Sequence, residues 1–279
     1  MLSPKSQLLK WVGNKQKFAA EITRFFPVEH GRFFEPFLGS GAILATVSPR
    51  SGLGSDTFGP LMEIWIMLKN NPKTLIDWYA ERYYLIEAKT KEEAYAEVLY
   101  SYNANPNGAD FLFLTRSCYG GIVRFRKKDG YMSTPCGVHD PISVESFSKR
   151  VMEWKNRLKH VDFQHCDYKY AFNEAKSGDM IYCDPPYSHS QSILYGAQDF
   201  KLSELLYEIS IAKERGVKVA LSIDGQKKSG NYICDLPIPD NLFNNEIYID
   251  CGRSMLRRFQ REGETLEDDQ VSDRLLLSY

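Results

Sequence analysis

The chain has 279 residues, with 35 Lys and Arg against 36 Asp and Glu for a formal net charge of −1, and it is 43% hydrophobic and 25% charged. That composition excludes a disordered chain. The balanced charge excludes a protein that coats nucleic acid with basic residues along its whole length, but not one with a local basic surface. The opening MLSPKSQLLKWVGNK lacks the apolar core and small-residue cleavage site of a signal peptide, and no run of about 18 apolar residues follows. The expectation is a cytoplasmic protein with no membrane partner. Six cysteines (118, 136, 166, 183, 234, 251) occur without a C-x-x-C pair, which reads as reduced thiols. His160, His165 and Cys166 read as ordinary side chains, so no metal is expected.

In chain order, a helical pattern over 17–26 leads through Pro27 into RFFEPFLGSGAILATV, which predicts strand, glycine turn and helix. A second short strand ends at Asp56. Helical spacing recurs over 61–68 and 75–102. An irregular stretch dense in Gly, Arg, Lys and aromatics then follows, RSCYGGIVRFRKKDGYMSTPCG. From about 161 the alternation resumes: strands in VDFQHCDY and GDMIYCDPPY, the helix LSELLYEISIAKERG, the strand VKVALSID, and terminal strands around NEIYIDC and RLLLSY. Apolar strands alternating with helices predict a mostly parallel sheet covered on both faces. Residues 1–58 and 161–279 form one α/β domain in this reading, and 59–160 is an insertion.

The turn Phe37 to Gly41 opens a helix at the carboxyl end of the first strand, where such sheets bind ligands. Gly39 and Gly41 allow positive φ and close ligand approach. Asp56 falls 15 residues after Gly41, at the end of the next strand, where a carboxylate can accept hydrogen bonds from two ribose hydroxyls. No G-x-x-x-x-G-K-[ST] is present, and Glu35 beside the turn suits an ammonium or sulfonium cation better than a phosphate. A nucleoside cofactor fits.

Asp184-Pro185-Pro186-Tyr187 follows an apolar strand. Two prolines cannot extend a central strand, so the chain leaves the sheet in a stiff turn. That turn fixes the Asp184 carboxylate and the Pro185 carbonyl, two acceptors for the two protons of an exocyclic amino group, beside the stacking face of Tyr187. A proline-stopped strand whose Asp caps a helix would read alike. The glycine turn and Asp56 upstream decide against it.

These residues resemble the Dam-like DNA adenine-N6 methyltransferases, whose order is cofactor motif, recognition region, catalytic motif. The likeness spans nearly the whole chain: Lys10-Trp11-Val12-Gly13-Asn14-Lys15, Phe34 to Gly41, Asp56, Cys118-Tyr119-Gly120-Gly121 with Arg124, and Asp179 to Tyr187. Thr57-Phe58-Gly59-Pro60 departs from the usual pattern, and Gly120 stands where a recognition side chain is often found. The resemblance implies a Rossmann-like α/β methyltransferase sheet with an inserted, mostly helical DNA-recognition region. It implies S-adenosyl-L-methionine as cofactor, held by Trp11, Lys15, Asp56 and Asp184 beside the turn, with Asp167 near the cofactor adenine. Double-stranded DNA is the implied partner, and a cognate restriction endonuclease or a solitary methylation role are both open.

In the expected reaction the adenine amino group donates to Asp184 and the Pro185 carbonyl. This favours a pyramidal nitrogen and stabilises its developing positive charge. The base must leave the duplex to be reached, and Tyr187 is expected to stack on it. Residues 116–128 carry Arg116, Arg124, Arg126, Lys127 and Lys128 with no acid, interleaved with Tyr119 and Phe125. The expectation is that Tyr119, Arg124, Arg126, Lys127 and Lys128 contact DNA, and the resemblance implies that Arg124 reads guanine. A second basic stretch over 253–261 precedes an acidic run and can pair with either phosphates or those acids. The rival, a Cys136 nucleophile after Pro135 as in cytosine C5 methylation, lies in the wrong region and has no need of the proline turn. Cytosine N4, adenine in RNA and a glutamine amide are alternative amino acceptors, and a catalytically inactive DNA-binding module is an alternative of another class.

Overall fold

The computed structural model describes residues 2–186, 200–227, 232–233, 238–253 and 270–279. Its centre is a single sheet. Strands β1 (Phe33–Glu35), β2 (Gly52–Asp56), β3 (Val161–His165), β4 (Met180–Cys183) and β5 (Lys218–Lys227) run parallel in the spatial order β3-β2-β1-β4-β5. β7 (Asn245–Arg253) and β8 (Gln270–Leu277) complete it, with β8 antiparallel between β5 and β7. The two-residue β6 (Tyr232–Ile233) pairs with the end of β5. This is the expected mostly parallel sheet, with one reversed strand near its edge.

Burial on both faces explains the apolar runs. Along each strand side chains alternate: Phe33, Tyr182, Ala220, Leu275 and Leu277 point into one core, and Phe34, Ile181, Cys183, Leu221 and Leu276 into the other. The first core is covered by α1 (Ala19–Ile22), α2 (Ala42–Val47), α3 (Gly59–Asn70) and α8 (Val144–Arg157), through Ile22, Leu44, Trp65 and Val151. The second is covered by α9 (Tyr168–Glu174) and α10 (Leu202–Glu214), through Phe172, Leu205 and Ile209. The strand order reverses at β1 and β4, so a crevice opens beyond their carboxyl ends.

Between β2 and β3 the chain builds α3, α4 (Pro72–Tyr83), α5 (Leu85–Ala88), α6 (Lys91–Ala104), α7 (Gly108–Ser117) and α8. The helical pattern predicted over 75–102 is broken at Lys89. Thr90 and Glu93 there form a reciprocal capping box that starts α6 afresh. The stretch after α7, irregular in the sequence, is a ladder. Arg126 N donates to the Tyr131 carbonyl at 2.9 Å, Ser133 N to that of Arg124 at 2.9 Å, and Tyr119 N to that of Pro135 at 2.9 Å. The basic residues 126–128 therefore sit at the tip of a hairpin. No helix among the described residues is long and apolar enough to cross a membrane.

Candidate active site

A cavity of about 870 Å³ lies over the carboxyl ends of β1, β2 and β4 and continues to the hairpin. Trp11, Lys15, Glu35, Phe37, Gly39, Asp56, Asp167 and Asp184 all line it, as do Phe125 and Tyr131 from the hairpin. The sequence separates these groups by up to 173 positions, and the parallel topology gathers them.

The glycine turn follows from its backbone. Gly39 has φ +45° and Gly41 φ +61°, a region that costs other residues roughly 1–2 kcal/mol. Their missing side chains also make room for two indoles. A Cβ on Gly39 would lie 2.8 Å from the Trp11 indole nitrogen, and one on Gly41 2.9 Å from the Trp65 ring. Trp65 also donates from Nε1 to the Gly39 carbonyl at 3.2 Å. Two indoles thus clamp the turn. Trp65 was not predicted; its apolar spacing in α3 looks like that of any core residue.

Asp56 closes the other side. Its carboxylate accepts from Gly39 N at 3.2 Å and Phe58 N at 3.1 Å. Two oxygens offer about four lone-pair sites, so room is left for ribose hydroxyls. Burial pushes this carboxyl above its ordinary range despite those backbone donors. Glu35 is turned differently from the sequence reading. Its Oε2 accepts from Leu44 N at 2.7 Å, so the last residue of β1 supplies the capping oxygen that Gly41, at the start of α2, cannot. Burial raises Glu35 well above the usual carboxylate range, opposed by the Leu44 amide and reinforced by Asp184 and Asp56.

Asp167 caps α9, accepting from Lys169 N at 2.9 Å. Phe37 stacks on the neighbouring Tyr168 with ring centroids 5.3 Å apart. Trp11 meets Phe111 edge-on at 6.0 Å and Phe58 at 6.4 Å, and Phe58 meets Phe125 at 5.6 Å. This aromatic wall runs from the glycine turn to the hairpin, and Phe58, one of the residues departing from the family pattern, is its middle member.

Asp184 stands at the end of β4. Lys15 Nζ lies 3.1 Å from Asp184 Oδ1 and 3.0 Å from Asp273 Oδ2. Burial alone would lower the Lys15 ammonium, but Asp184 and then Asp273 reverse this and hold it above its ordinary value. Lys15 is therefore engaged by two carboxylates of the chain itself. Asp273 was missed. Its signal was an acid in phase with Leu275 and Leu277 on the core face of β8. Pro185 is buried beside Asp184. Tyr187, the basic residues at 257, 258 and 261, and the acidic run after them lie outside the described residues.

The basic residues divide. Arg124, Lys127 and Lys128 are exposed on the hairpin and Tyr119 is partly so. Arg126 lies over the Tyr131 ring at 4.0 Å and pairs with Asp129 at 3.1 Å. Arg116, counted in the basic stretch, is instead buried and donates to the Leu8 carbonyl at 2.7 Å. It ties the N-terminal segment to α7. The Cys136 thiol is half-buried and burial raises its pKa, which opposes a nucleophilic thiolate. No cluster of metal-binding side chains occurs among the described residues.

A five-strand parallel sheet continued by a reversed strand, with a cavity lined by several carboxylates at its switch point, is a Rossmann-like fold. Residues 11–250 match the model of the D12 class N6 adenine-specific DNA methyltransferases, and the chain belongs to that family. It is a DNA adenine-N6 methyltransferase. A DNA adenine methylase of Vibrio cholerae is 28% identical over 227 residues, covering 77% of this chain and 79% of its own. That of Haemophilus influenzae is 26% identical over 245 residues, covering 80% and 84%. The type II methyltransferase M.MjaIII of Methanocaldococcus jannaschii is 27% identical over 249 residues, covering 77% and 82%.

Proposed function

We propose that the chain methylates N6 of an adenine flipped out of double-stranded DNA at a specific sequence, with S-adenosylmethionine as donor. The observation that carries this reading is the position of Asp184 and Pro185 at the end of β4. Asp184 shares one cavity with Asp56 and the glycine turn on one side and with the hairpin on the other, and Pro185 is buried beside it.

The residues present suit the cofactor. Asp56 keeps lone pairs for a ribose, Trp11 and Phe37 offer apolar walls, Asp167 borders the far end, and Asp184 adds a negative charge that suits a sulfonium. When bound, S-adenosylmethionine supplies an electrophilic methyl group. Asp184 and the Pro185 carbonyl accept the two amino protons of the adenine, direct its nitrogen lone pair into the cavity and stabilise the positive charge that develops on nitrogen. Tyr187 stacks on the flipped base, a contact worth roughly 1–3 kcal/mol. Tyr119, Arg124, Arg126, Lys127 and Lys128 hold the duplex, with Arg124 reading guanine.

Residues 1–58 and 161–279 then form the catalytic unit and 59–160 the recognition unit, anchored to the sheet by α3. The type II name of one relative supports a companion endonuclease; the DNA adenine methylase names of others support a solitary role. The test is incubation with labelled cofactor and duplex DNA followed by digestion to nucleosides. Label in N6-methyladenine is expected, and label in N4-methylcytosine, or none in DNA, would sink the proposal.

A further inference from the structure

We infer that Asp273 is a positioning residue for methyl transfer, sharing the Lys15 ammonium with Asp184 and so setting both the direction and the acceptor strength of the catalytic carboxylate. This inference rests on the role assigned to Asp184 above. Asp273 itself stands beyond the residues 11–250 matched by the family model.

Asp273 lies in the middle of β8, opposite Asp224 of β5 and Ile249 of β7. Its side chain shares the face of Leu275 and Leu277, which belong to the larger core. A carboxylate there is costly without a partner. Lys15, reaching up from the short turn Lys15–Lys17 that Asn14 caps, provides one at 3.0 Å and holds Asp184 at 3.1 Å with the same ammonium. The three side chains are only 8%, 18% and 12% exposed in the order Lys15, Asp184, Asp273. Water screens such contacts poorly, so the charges act at close to full strength.

One ammonium between two carboxylates leaves a net charge of −1. If Lys15 paired with Asp184 alone, that carboxylate would be neutralised and would become a weaker acceptor for the adenine amino group. Asp273 draws part of the ammonium away. It also fixes Lys15 from the far side, so the Lys15 contact sets the rotation of the Asp184 carboxylate. Among the described residues, Glu35 on β1 and Tyr182 and Cys183 on β4 also feel Asp184, and burial raises all three.

The experiment compares wild type with Asp273→Asn, Asp273→Glu and Asp184→Ala in single-turnover methylation across pH, alongside thermal melts and DNA affinity. For Asp273→Asn the rate constant is expected to fall about tenfold with DNA affinity unchanged. The acid limb of its pH profile should move to lower pH, because removing a like charge makes Asp184 harder to protonate. Asp273→Glu keeps the charge, so its acid limb should stay at the wild-type position while its rate lies between the two. A rate within twofold of wild type for Asp273→Asn, or an unmoved acid limb, overturns the inference. If Asp273→Asn does not fold, a displaced acid limb in Asp273→Glu does so instead. Asp184→Ala separates the two readings. Activity kept there refutes the role of Asp184 and this inference with it, whereas activity lost there and kept in Asp273→Asn refutes this inference alone.

Discussion

The carboxylates on the two sides of the cavity are held by different means. Glu35 and Asp56, on the cofactor side, are gripped by backbone amides from residues 2 to 17 positions away: Leu44 for Glu35, Gly39 and Phe58 for Asp56. Asp184, on the chemical side, is held by a side-chain ammonium 169 positions away, itself shared with Asp273. Backbone donors are fixed by secondary structure and survive any point substitution except one to proline. An ion pair gives a carboxylate more adjustable charge and makes its position depend on distant parts of the chain. The carboxylates beside the glycine turn are thus held by nearby residues, and Asp184 by Lys15 and Asp273 from distant parts of the chain.

Perturbing each side breaks this contrast in order of severity. Asp184→Ala should reduce methyl transfer by at least about 10²- to 10³-fold, the scale of one preorganised polar group lost from a transition state. DNA affinity should persist; electrophoretic mobility shift and single-turnover assays on the same preparation check both. Gly39→Ala should cost about 2 kcal/mol or more, combining left-handed φ with a forced shift of the Trp11 ring. Urea unfolding measures it, and an unchanged midpoint would mean that the turn is not clamped.

Glu35→Gln is a smaller test, and its sign follows from the raised pKa. A folded-state carboxyl raised by burial binds its proton more tightly than the unfolded chain does. Glu35 and Asp56 therefore favour the folded state at acid pH and lose stability as pH climbs from about 4 through their raised values. The Gln variant keeps an oxygen for the Leu44 amide but has no proton to lose. It should be more stable than wild type by about 1 kcal/mol at pH 8, with the difference shrinking at pH 5. Smallest is Lys127→Ala at the hairpin tip, which should weaken DNA binding alike on all sequences and lower the salt slope by about one. An unchanged slope would remove the tip from the interface.

The sheet, the turn and the strand-ending prolines were legible because each is a local pattern: apolar runs of strand length, glycines after a strand, two prolines that a central strand cannot carry. That Glu35, Asp56 and Asp184 share the cavity was also legible, since strands that run parallel place their carboxyl ends together, whereas Gly41 and Pro185 do not line it. Roles that depend on distant packing were not. Arg116 and Arg124 stand eight positions apart in one basic stretch, yet the first is buried against the Leu8 carbonyl and the second is exposed. Composition gives them the same meaning. Asp273 could have been found, because an acid in step with two leucines on a core face asks for a partner, but nothing local names Lys15. Glu35 reads as a ligand for a cation until the missing side chain at Gly41 makes it the cap of α2.

The indoles on either side of the glycine turn bear on the order in which the molecule folds. Trp11 comes from the segment before the first strand and Trp65 from the helix after the second. The turn Phe37 to Gly41 gains its packing only once both loops have closed, a cost in chain entropy met before any contact offsets it. Cofactor competence should therefore appear late in refolding, together with the recognition helices. A fragment ending after β2 would carry the whole glycine motif and still lack the wall that holds it in shape.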